Sequence, residues 1–317
     1  MFRAADLFRV LADPTRLRIV TLLRAMELSV GELAQVLRQS QPRVSRHIKI
    51  LADAGLADRR KEGSWVFVSL GKPERVHPLL AIVDTWIEND DTARADVARL
   101  AAVRADRAVA AQRYFEGHAA VWDGIRSLHI AESEVEDAVG RAIGGDAVDC
   151  LVDIGTGTGR MLALFGGAAA RAIGIDRSSE MLRVARARLE AAGIAGSDLR
   201  QGDMYALPLR DGSADLVILH QVLHYAQAPA AAIAEAARVL APGGRLLIVD
   251  FAPHDREELR ERDAHARLGF ADEAMLGWLN AAGLDAEVCE HLEGGELTVT
   301  LWRGTRPGAR RLQAKAA

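Results

Sequence analysis

The sequence predicts two domains: a small, mostly helical domain with a β-hairpin, followed by a larger α/β domain with a doubly wound sheet. The length of 317 residues favours two domains, because domains average roughly 100 to 200 residues. Helix-spaced apolar residues dominate the first eighty positions, whereas strand and helix patterns alternate after residue 146. Residues 1–80 hold 14 Lys and Arg against 8 Asp and Glu, and the remainder holds 26 against 36. Only the first domain is therefore suited to contact a polyanion.

The composition and the first residues argue against a membrane-spanning protein and against a secreted, disulfide-rich protein. No run approaches the roughly 20 apolar residues that a membrane-spanning helix needs, and the first residues lack a secretory signal pattern. Cys150 and Cys289 are the only cysteines, too few for a disulfide framework. We expect a soluble, cytoplasmic protein with no membrane partner.

Three short helices are predicted before residue 55. In LADPTRLRIVTLL, Asp13 can cap a helix whose first turn contains Pro14. In SVGELAQVLRQS the apolar residues recur at helical spacing, and Ser40 then caps a third helix, QPRVSRHIKILADAGL. The polar and basic side chains that point outward from this helix are Arg43, Ser45, Arg46, His47 and Lys49.

The next segment, ADRRKEGSWVFVSL, predicts two short strands around a turn at Glu62 and Gly63. Three helices and a basic hairpin indicate a winged helix-turn-helix, whose third helix enters the major groove while the wing meets phosphates. A solvated basic face is the alternative, but six basic against two acidic residues between positions 41 and 61 favour DNA. The predicted DNA contacts are Ser40, Gln41, Arg43, Ser45, Arg46, His47, Arg59, Arg60 and Lys61.

Residues 5–88 resemble the ArsR/SmtB group of bacterial repressors. The resemblance is carried by SQPRVSRHIKILADAGLADRRKEGSWVFVSL and, upstream, by LADPTRLRIVTLL. It implies a DNA-binding and dimerisation domain over residues 1–88. It also implies a homodimer, paired through the first helix and the helix near His77 to Glu88, on a palindromic operator.

Members of this group often sense metals, so we compared their ligand positions. Where arsenic sensors carry a cysteine pair, this chain has Ser29 and Val30. The positions of the zinc ligands are occupied by Lys72, Glu74, Thr85 and Glu88. A charged lysine cannot bind a metal, and the nearby His77 and Asp84 are too few for a zinc site. We expect no metal, and therefore another signal.

Residues 89–145 are expected to be a helical connector and a cover for a neighbouring pocket. Asp91 to Gln112 predict one long helix, and YFEGHAAVWDGIRSLH follows with aromatic residues that suit a pocket cover or core packing equally. The last residues, 305–317, are basic and rich in small residues, and we expect a disordered tail.

Strand and helix patterns alternate over residues 146–304. The predicted strands are CLVDI, RAIGI, LRQGD, ADLVILH and RLLIVD, followed by a hairpin of DAEVCEH and ELTVTLW. This order predicts a doubly wound sheet with a terminal hairpin. Ligands of such sheets bind beyond the carboxyl ends of the strands.

Four features follow these strands in register. The glycines of VDIGTGTGR allow a sharp turn and close approach to a ligand. Asp176 can accept the two hydroxyls of a ribose, while Asp203 and Met204 can accept from an adenine amine and cover its ring. His220 ends the fourth strand. Each feature alone is weak, but together they predict a nucleoside pocket.

The glycine spacing distinguishes between two ligands. A dinucleotide fingerprint needs glycine where Arg160 stands. Residues 114–304 instead resemble the Rossmann-like class I S-adenosylmethionine (SAM) methyltransferases, in VDIGTGTGR, GIDRSSEML, GDMYALPLRDGSADLVILHQVLHY and RVLAPGGRLLIVD. By that resemblance Asp153 supports the turn, Gly155 and Gly157 face the methionine part, Asp176 faces the ribose, and Asp203 and Met204 face the adenine.

The bound SAM could be a reagent or a signal. The segment HQVLHY lacks both the Pro-Pro-aromatic pattern of DNA amine methylation and a cysteine nucleophile, and two separated cysteines do not suit arsenite. His220 and His254 are the candidate bases for a small-molecule acceptor, although structural or solvated histidines fit the sequence at least as well. Two hypotheses remain: a repressor controlled by SAM or S-adenosylhomocysteine (SAH), and a small-molecule methyltransferase with a DNA-binding regulatory domain. A scaffold with neither activity is the third alternative.

Overall fold

A computed structural model describes residues 4–62, 64–72, 76, 78–80, 90–118, 132–194, 197–293 and 295–308. The chain divides into two compact units, Met1–Ala110 and Ala111–Ala317. Part of the predicted pocket cover and the end of the predicted tail lie outside the described residues. Within the described part, no helix combines the length and the apolar character needed to cross a membrane.

The first unit is a winged helix-turn-helix, as predicted. Its helices are α1 (Ala4–Leu11), α2 (Pro14–Ala25), α3 (Val30–Leu37) and α4 (Gln41–Asp53), and its strands are β1 (Leu28–Ser29), β2 (Ala57–Glu62) and β3 (Trp65–Leu70). The antiparallel sheet has the order β1-β3-β2. The sequence did not predict strand β1, because a strand of two residues is too short to show an alternating pattern.

Local capping explains where these helices begin. The Asp13 side chain accepts the N–H of Arg16 at 3.1 Å, as predicted for the start of α2. Ser29 and Glu32 form a capping box at α3. Ser40 precedes α4, but its side chain makes no capping bond, contrary to expectation. The reason is local: Pro42 has no N–H, and the N–H of Arg43 is bonded to the Ser40 carbonyl.

The first unit also contains the beginning of a long helix, α5 (Asp91–His118). Leu100 and Val103 of α5 are buried in the same apolar core as α2, α3 and α4. This compact unit runs to Ala110, and the predicted domain boundaries at residues 88 and 145 stay predictions.

The second unit contains the predicted doubly wound sheet. Its helices are α6 (Glu132–Ile143), α7 (Arg160–Phe165), α8 (Ser179–Ala191), α9 (Pro229–Val239), α10 (Glu258–Arg262) and α11 (Asp272–Ala281). Its strands are β4 (Val148–Ile154), β5 (Ala169–Asp176), β6 (Asp198–Gln201), β7 (Ala214–His220), β8 (Leu240–Phe251), β9 (Asp285–Leu292) and β10 (Val299–Thr305). The order is β6-β5-β4-β7-β8-β10-β9, and β10 runs antiparallel to both of its neighbours.

The apolar residues of this sheet pack on both of its faces. Val152 and Ile154 lie in one cluster with residues of α9 and α11. Leu151, which points to the opposite face, packs in a second cluster with residues of α6. Since both faces are covered, the polar groups that could meet a ligand are those at the strand ends.

Candidate functional site

The turn after β4 is fastened to the neighbouring strand through its backbone. The N–H groups of Gly155 and Thr156 both donate to the Ile175 carbonyl, at 2.7 and 3.0 Å. Gly155 has a φ of +70°, and a Cβ at this position would overlap Cγ2 of Val222. Only glycine satisfies both the backbone angle and the space here.

Asp153 supports this turn from below, as the resemblance implies. It is buried, and its carboxylate accepts the hydroxyl of Thr156 at 2.6 Å. A second hydrogen bond, from the Gly159 N–H to the Thr156 carbonyl, closes the turn. The buried carboxylate therefore holds the shape of the loop, which is a supporting role.

Close packing of helices occurs at Gly159, one residue before the third glycine of a dinucleotide fingerprint. A Cβ on Gly159 would lie 3.0 Å from Cβ of Ala185 in α8. Arg160 points elsewhere, and its guanidinium donates to both carboxylate oxygens of Glu136 in α6, at 2.6 and 2.9 Å. Arg160 therefore joins α7 to α6 without crowding the contact between α7 and α8.

Asp176 ends β5 and faces the glycine turn. One carboxylate oxygen accepts the Gly157 N–H at 2.9 Å, and the other accepts the Ser178 N–H at 2.8 Å. Burial raises the pKa of this carboxyl above its ordinary value, while the N–H groups of Ser178 and Gly157 act in the opposite direction. A carboxylate has more acceptor positions than these two bonds use, so hydroxyl donors of a ligand could bind and stabilise its charge.

The segment after β6 contains the predicted adenine residues. Asp203 is exposed, and its carboxylate accepts the Tyr205 N–H at 3.0 Å. Met204 packs against the core of the domain. The Tyr205 hydroxyl accepts the N–H groups of Gln227 and Ala228 at 2.9 and 3.2 Å. The sequence analysis missed this role of Tyr205, although the residue lies inside the quoted segment GDMYALP.

The order of the strands brings the predicted ligand-binding residues together at the carboxyl ends of adjacent strands. Strands β6, β5, β4 and β7 are adjacent, and Ile154 is level with Ile175 on one side and Leu219 on the other. The residues placed at these strand ends are Asp153, Gly155, Gly157, Asp176, Asp203, Met204 and His220. Their contacts with a ligand remain predictions.

The candidate bases His220 and His254 lie at or just after the ends of two adjacent strands, β7 and β8. His220 is the last residue of β7. His254 follows β8, and its Nδ1 accepts the Arg256 N–H at 3.3 Å. Asp250, however, is paired with His224: the Nδ1 to Oδ1 distance is 2.8 Å, and both side chains are buried. The sequence did not predict this pair.

Further groups surround His224. Its ring centroid lies 4.0 Å from that of Tyr225, 4.2 Å from His265 and 5.0 Å from Phe251. The N–H groups of Ala266 and Arg267 both donate to the His224 carbonyl at 2.9 Å. The segment after α10 is thus fastened to the segment after β7, beside the carboxyl ends of β7 and β8.

The buried and exposed residues of α4 alternate as its helical spacing predicts, except at His47. Val44, Ile48 and Leu51 are buried, as the helical spacing requires. The residues exposed on α4 or just before it include Ser40, Gln41, Arg43, Ser45, Arg46 and Lys49. In the wing, Arg59 and Lys61 are also exposed.

Two of the predicted DNA contacts have partners within the protein. His47 lies largely inward, with Nδ1 3.7 Å from a carboxylate oxygen of Asp13. Arg60 lies over the Phe67 ring, 5.4 Å from its centroid, and 3.5 Å from Glu27. Alternation along β2 places Arg60 on the opposite face from its neighbours. The DNA contacts of His47 and Arg60 would have to compete with these interactions.

Ser29, which the resemblance aligns with a cysteine of arsenic sensors, has a structural role in this chain. Ser29 caps α3, so a cysteine there would lose the capping hydroxyl. Over the described ranges, no three His, Cys, Asp or Glu side chains converge to hold a metal ion. Lys72 is exposed. The other compared positions, Glu74, His77, Asp84, Thr85 and Glu88, lie outside the described residues.

Comparison with protein families matches each unit separately. Residues 13–59 match the bacterial regulatory protein, arsR family. Residues 152–248 match a methyltransferase domain. The two matches fall on the reading helix and on the strands that carry the candidate pocket.

Among curated proteins, the arsenical resistance operon repressor of Escherichia coli is 41% identical over 97 residues, 30% of this chain and 83% of that protein. The arsenite methyltransferase of Aquipseudomonas alcaligenes is 35% identical over 154 residues, 45% of this chain and 42% of that protein. A transposon protein of Streptomyces fradiae is 43% identical over 100 residues, only 28% of its length. The chain thus spans most of the repressor but less than half of the other two.

A solved structure supports the fold of the second unit. The YcgJ protein of Bacillus subtilis aligns with a TM-score of 0.50 and 18% identity, covering 55% of this chain and 99% of that one. At this identity the likeness establishes the class I methyltransferase fold and no activity.

Proposed function

Because the chain belongs to the arsR family of bacterial regulatory proteins and also carries a class I methyltransferase domain, we propose that it is a transcriptional repressor controlled by SAM or SAH. The observation that carries the proposal is the presence of two intact surfaces in one chain. One is the exposed basic face of α4, and the other is the set of groups at the carboxyl ends of adjacent strands that we expect to bind a nucleoside.

The pocket supports a nucleoside ligand through its main chain and Asp176. The glycine turn allows the protein backbone to approach a ligand closely, and Asp176 provides a carboxylate for ribose hydroxyls. Asp203 and Met204 supply an acceptor and an apolar surface for adenine. SAM and SAH both contain the ribose and the adenine that these groups would contact, so we propose either compound as the effector.

The DNA partner follows from the family of the first unit. We propose that α4 enters the major groove of an operator, with Arg46 and Ser45 near base edges and Arg59 and Lys61 near phosphates. A homodimer on a palindromic site in the cytoplasm is the assembly this family implies. The predicted second pairing helix of this homodimer, near His77 to Glu88, lies outside the described residues except for residues 78–80.

Control requires that the ligand prefer one of two arrangements of the protein. A difference of roughly 1 to 3 kcal/mol between the two states changes the operator affinity by about 5- to 150-fold. A ligand that binds both states equally changes nothing, however tightly it binds.

The test is a fluorescence-anisotropy titration of the full chain onto the DNA upstream of its own gene, at fixed salt. Titrations are made alone, with saturating SAM and with saturating SAH. We expect one of the ligands to change the operator affinity at least about fivefold. Equal affinities in all three titrations, with calorimetry showing that the ligands bind, would contradict effector control.

The pair of His224 and Asp250 favours a second candidate, a small-molecule methyltransferase. A buried carboxylate bonded to one ring nitrogen of His224 orients the imidazole, and the other ring nitrogen can then accept a proton. This pair lies beside the strand ends where an acceptor would bind. When bound, SAM supplies an electrophilic methyl group. His224 would then take the proton that an acceptor hydroxyl or amine loses.

Arsenite is a poor acceptor for this chain, although two of the relatives are named for arsenic. Cys150 lies in β4 and is buried, whereas Cys289 lies in β9. Three strands separate them in the sheet, so the thiols are roughly 19 Å apart at about 4.8 Å per strand spacing. Burial also raises the pKa of the Cys289 thiol. These two thiols cannot bind one arsenic atom together.

The enzyme hypothesis is tested with SAM carrying a labelled methyl group and a small-molecule extract. His224→Asn should abolish transfer of the label and leave the calorimetric affinity for SAH intact. His220→Ala and His254→Ala serve as comparisons, because these were the bases predicted from the sequence. Loss of transfer in His254→Ala, with transfer retained in His224→Asn, would identify His254 as the base that the sequence predicted. If the unaltered chain transfers no label, the result would favour the repressor controlled by SAM or SAH.

A further inference from the structure

Helix α5 begins in the first unit and ends among residues of the second. Its beginning is fixed to α2 by a charged pair. Asp96 is 3% exposed, and its two carboxylate oxygens accept Nε and NH2 of Arg18 at 2.6 and 2.7 Å. Two parallel bonds between guanidinium and carboxylate fix orientation as well as distance.

The next turn of α5 is fixed to α3. Arg99 donates from Nε to the Val36 carbonyl at 2.6 Å, and its NH2 also bonds to Asp96. Val36 lies in the last turn of α3, where carbonyls lack partners within the helix and where a positive charge is favoured. Helix α3 ends at Leu37, and its cap residue Arg38 has a left-handed backbone conformation. Helix α4 begins at Gln41.

We call Arg18, Asp96, Arg99 and the Val36 carbonyl the ionic clamp. Leu100 and Val103 follow Asp96 on the same face of α5 and are buried in the core of the first unit. The clamp differs from an ordinary surface pair on the same helix, in which Arg94 and Asp91 have side chains that are 62% and 94% exposed. Such exposed pairs contribute little.

We propose that Asp96 and Arg99 are positioning residues that transmit the ligand state of the second unit to the recognition helix α4. This inference rests on the proposed function, since it names the route by which the effector acts. Separating one member of a buried charged network is costly. A displacement of α5 therefore carries the Val36 carbonyl with it and moves the short turn that leads into α4.

The position of the clamp supports this route in preference to simple anchoring. Anchoring α5 would need only the apolar contacts of Leu100 and Val103 with the core of the first unit. Arg99 instead contacts a backbone carbonyl five residues before Gln41. Its second bond, to Asp96, links that carbonyl to α2, so three helices of the reading domain share one charged network.

The experiment compares full-length variants that alter the clamp with variants that conserve it. Arg99→Gln removes the charge from Arg99 and leaves the pair of Arg18 and Asp96 in place, and Asp96→Asn removes the carboxylate charge. Arg99→Lys and Asp96→Glu are the conservative counterparts. Arg94→Gln on the exposed face of α5 is the matched control, and circular dichroism verifies the fold of each protein.

Each protein is measured in a thermodynamic cycle with two probes, SAH and the DNA fragment upstream of its own gene. The operator affinity is measured with and without saturating SAH, and the SAH affinity with and without saturating DNA. Binding linkage requires the two ratios to be equal. A structural defect alone would weaken DNA binding without changing these ratios.

We expect a ratio of about fivefold or more in the unaltered chain and in Arg94→Gln, under about twofold in Arg99→Gln and Asp96→Asn, and a partial return in the conservative variants. An unaltered ratio in a folded Arg99→Gln protein would overturn the role of the clamp and leave effector control standing. A ratio of one in the unaltered chain would instead overturn effector control, and the clamp's role in it as well.

Discussion

Asp96 and Asp176 are carboxylates of low exposure with opposite kinds of partner. Asp96 is bonded to two guanidinium groups, which compensate its charge within the protein. Asp176 is bonded to the N–H groups of Gly157 and Ser178, and burial raises its pKa. A carboxylate with a raised pKa at a strand end is typical of a site that awaits a ligand. A carboxylate paired with guanidinium groups is typical of a structural network.

The largest expected effect is on stability, and it separates the two carboxylates. Asp96→Ala should lower the free energy of unfolding of the first unit by about 3 kcal/mol or more, because it leaves a partly buried guanidinium without its partner. Urea titration monitored by circular dichroism measures the change. Arg94→Ala, on the exposed face of α5, should cost less than about 0.5 kcal/mol. Equal losses in the two variants would contradict a special role for Asp96.

The second effect is on ligand binding and belongs to Asp176. Asp176→Ala should weaken the binding of SAH roughly 10- to 100-fold, since a hydrogen bond to a charged group contributes about 1.5 to 3 kcal/mol. Isothermal titration calorimetry on the full chain provides the measurement. Asp146→Ala is the control, because that side chain is 82% exposed and lies beside Arg245. An unchanged affinity in Asp176→Ala would remove Asp176 from the pocket.

The sequence revealed Asp176 but not the partners of Asp96, and the reason is physical. Asp176 follows a strand in a fold whose ligands bind at strand ends, so its position was informative by itself. Arg18 and Asp96 meet only after folding, 78 residues apart, and no spacing rule connects them. Spacing likewise predicted correctly that Arg43, Ser45, Arg46 and Lys49 of α4 are exposed. It also predicted that His47 points outward, which is wrong, because the contact of His47 with Asp13 forms only in the folded domain. The pairing of His224 with Asp250 was hidden for the same reason.

The third effect concerns pH and sharpens the interpretation of Asp176. Hydroxyl donors of a ligand favour the ionised carboxylate, so the pKa should fall on binding and a proton should be released. The affinity for SAH is then at its maximum above the raised pKa of Asp176 in the unliganded protein, and it declines as the pH falls through that pKa. Calorimetry in buffers of different ionisation enthalpy measures the protons released. Asp176→Asn should bind more weakly at neutral pH and release none at this site, and an identical pH profile would contradict the assignment.

The smallest effect is the stability of the unliganded pocket. A raised pKa means that the folded chain holds more protons than the unfolded chain between the ordinary and the raised pKa. The contribution of Asp176 to the free energy of unfolding therefore decreases as the pH rises through that window, and this contribution is constant above it. Asp176→Asn should remove this decrease and change the stability at neutral pH by less than about 1 kcal/mol. Thermal unfolding of the two proteins across that pH range measures both. A large loss of stability in Asp176→Asn would show that the carboxylate holds the fold together, as Asp96 does, and would end the contrast between the two residues.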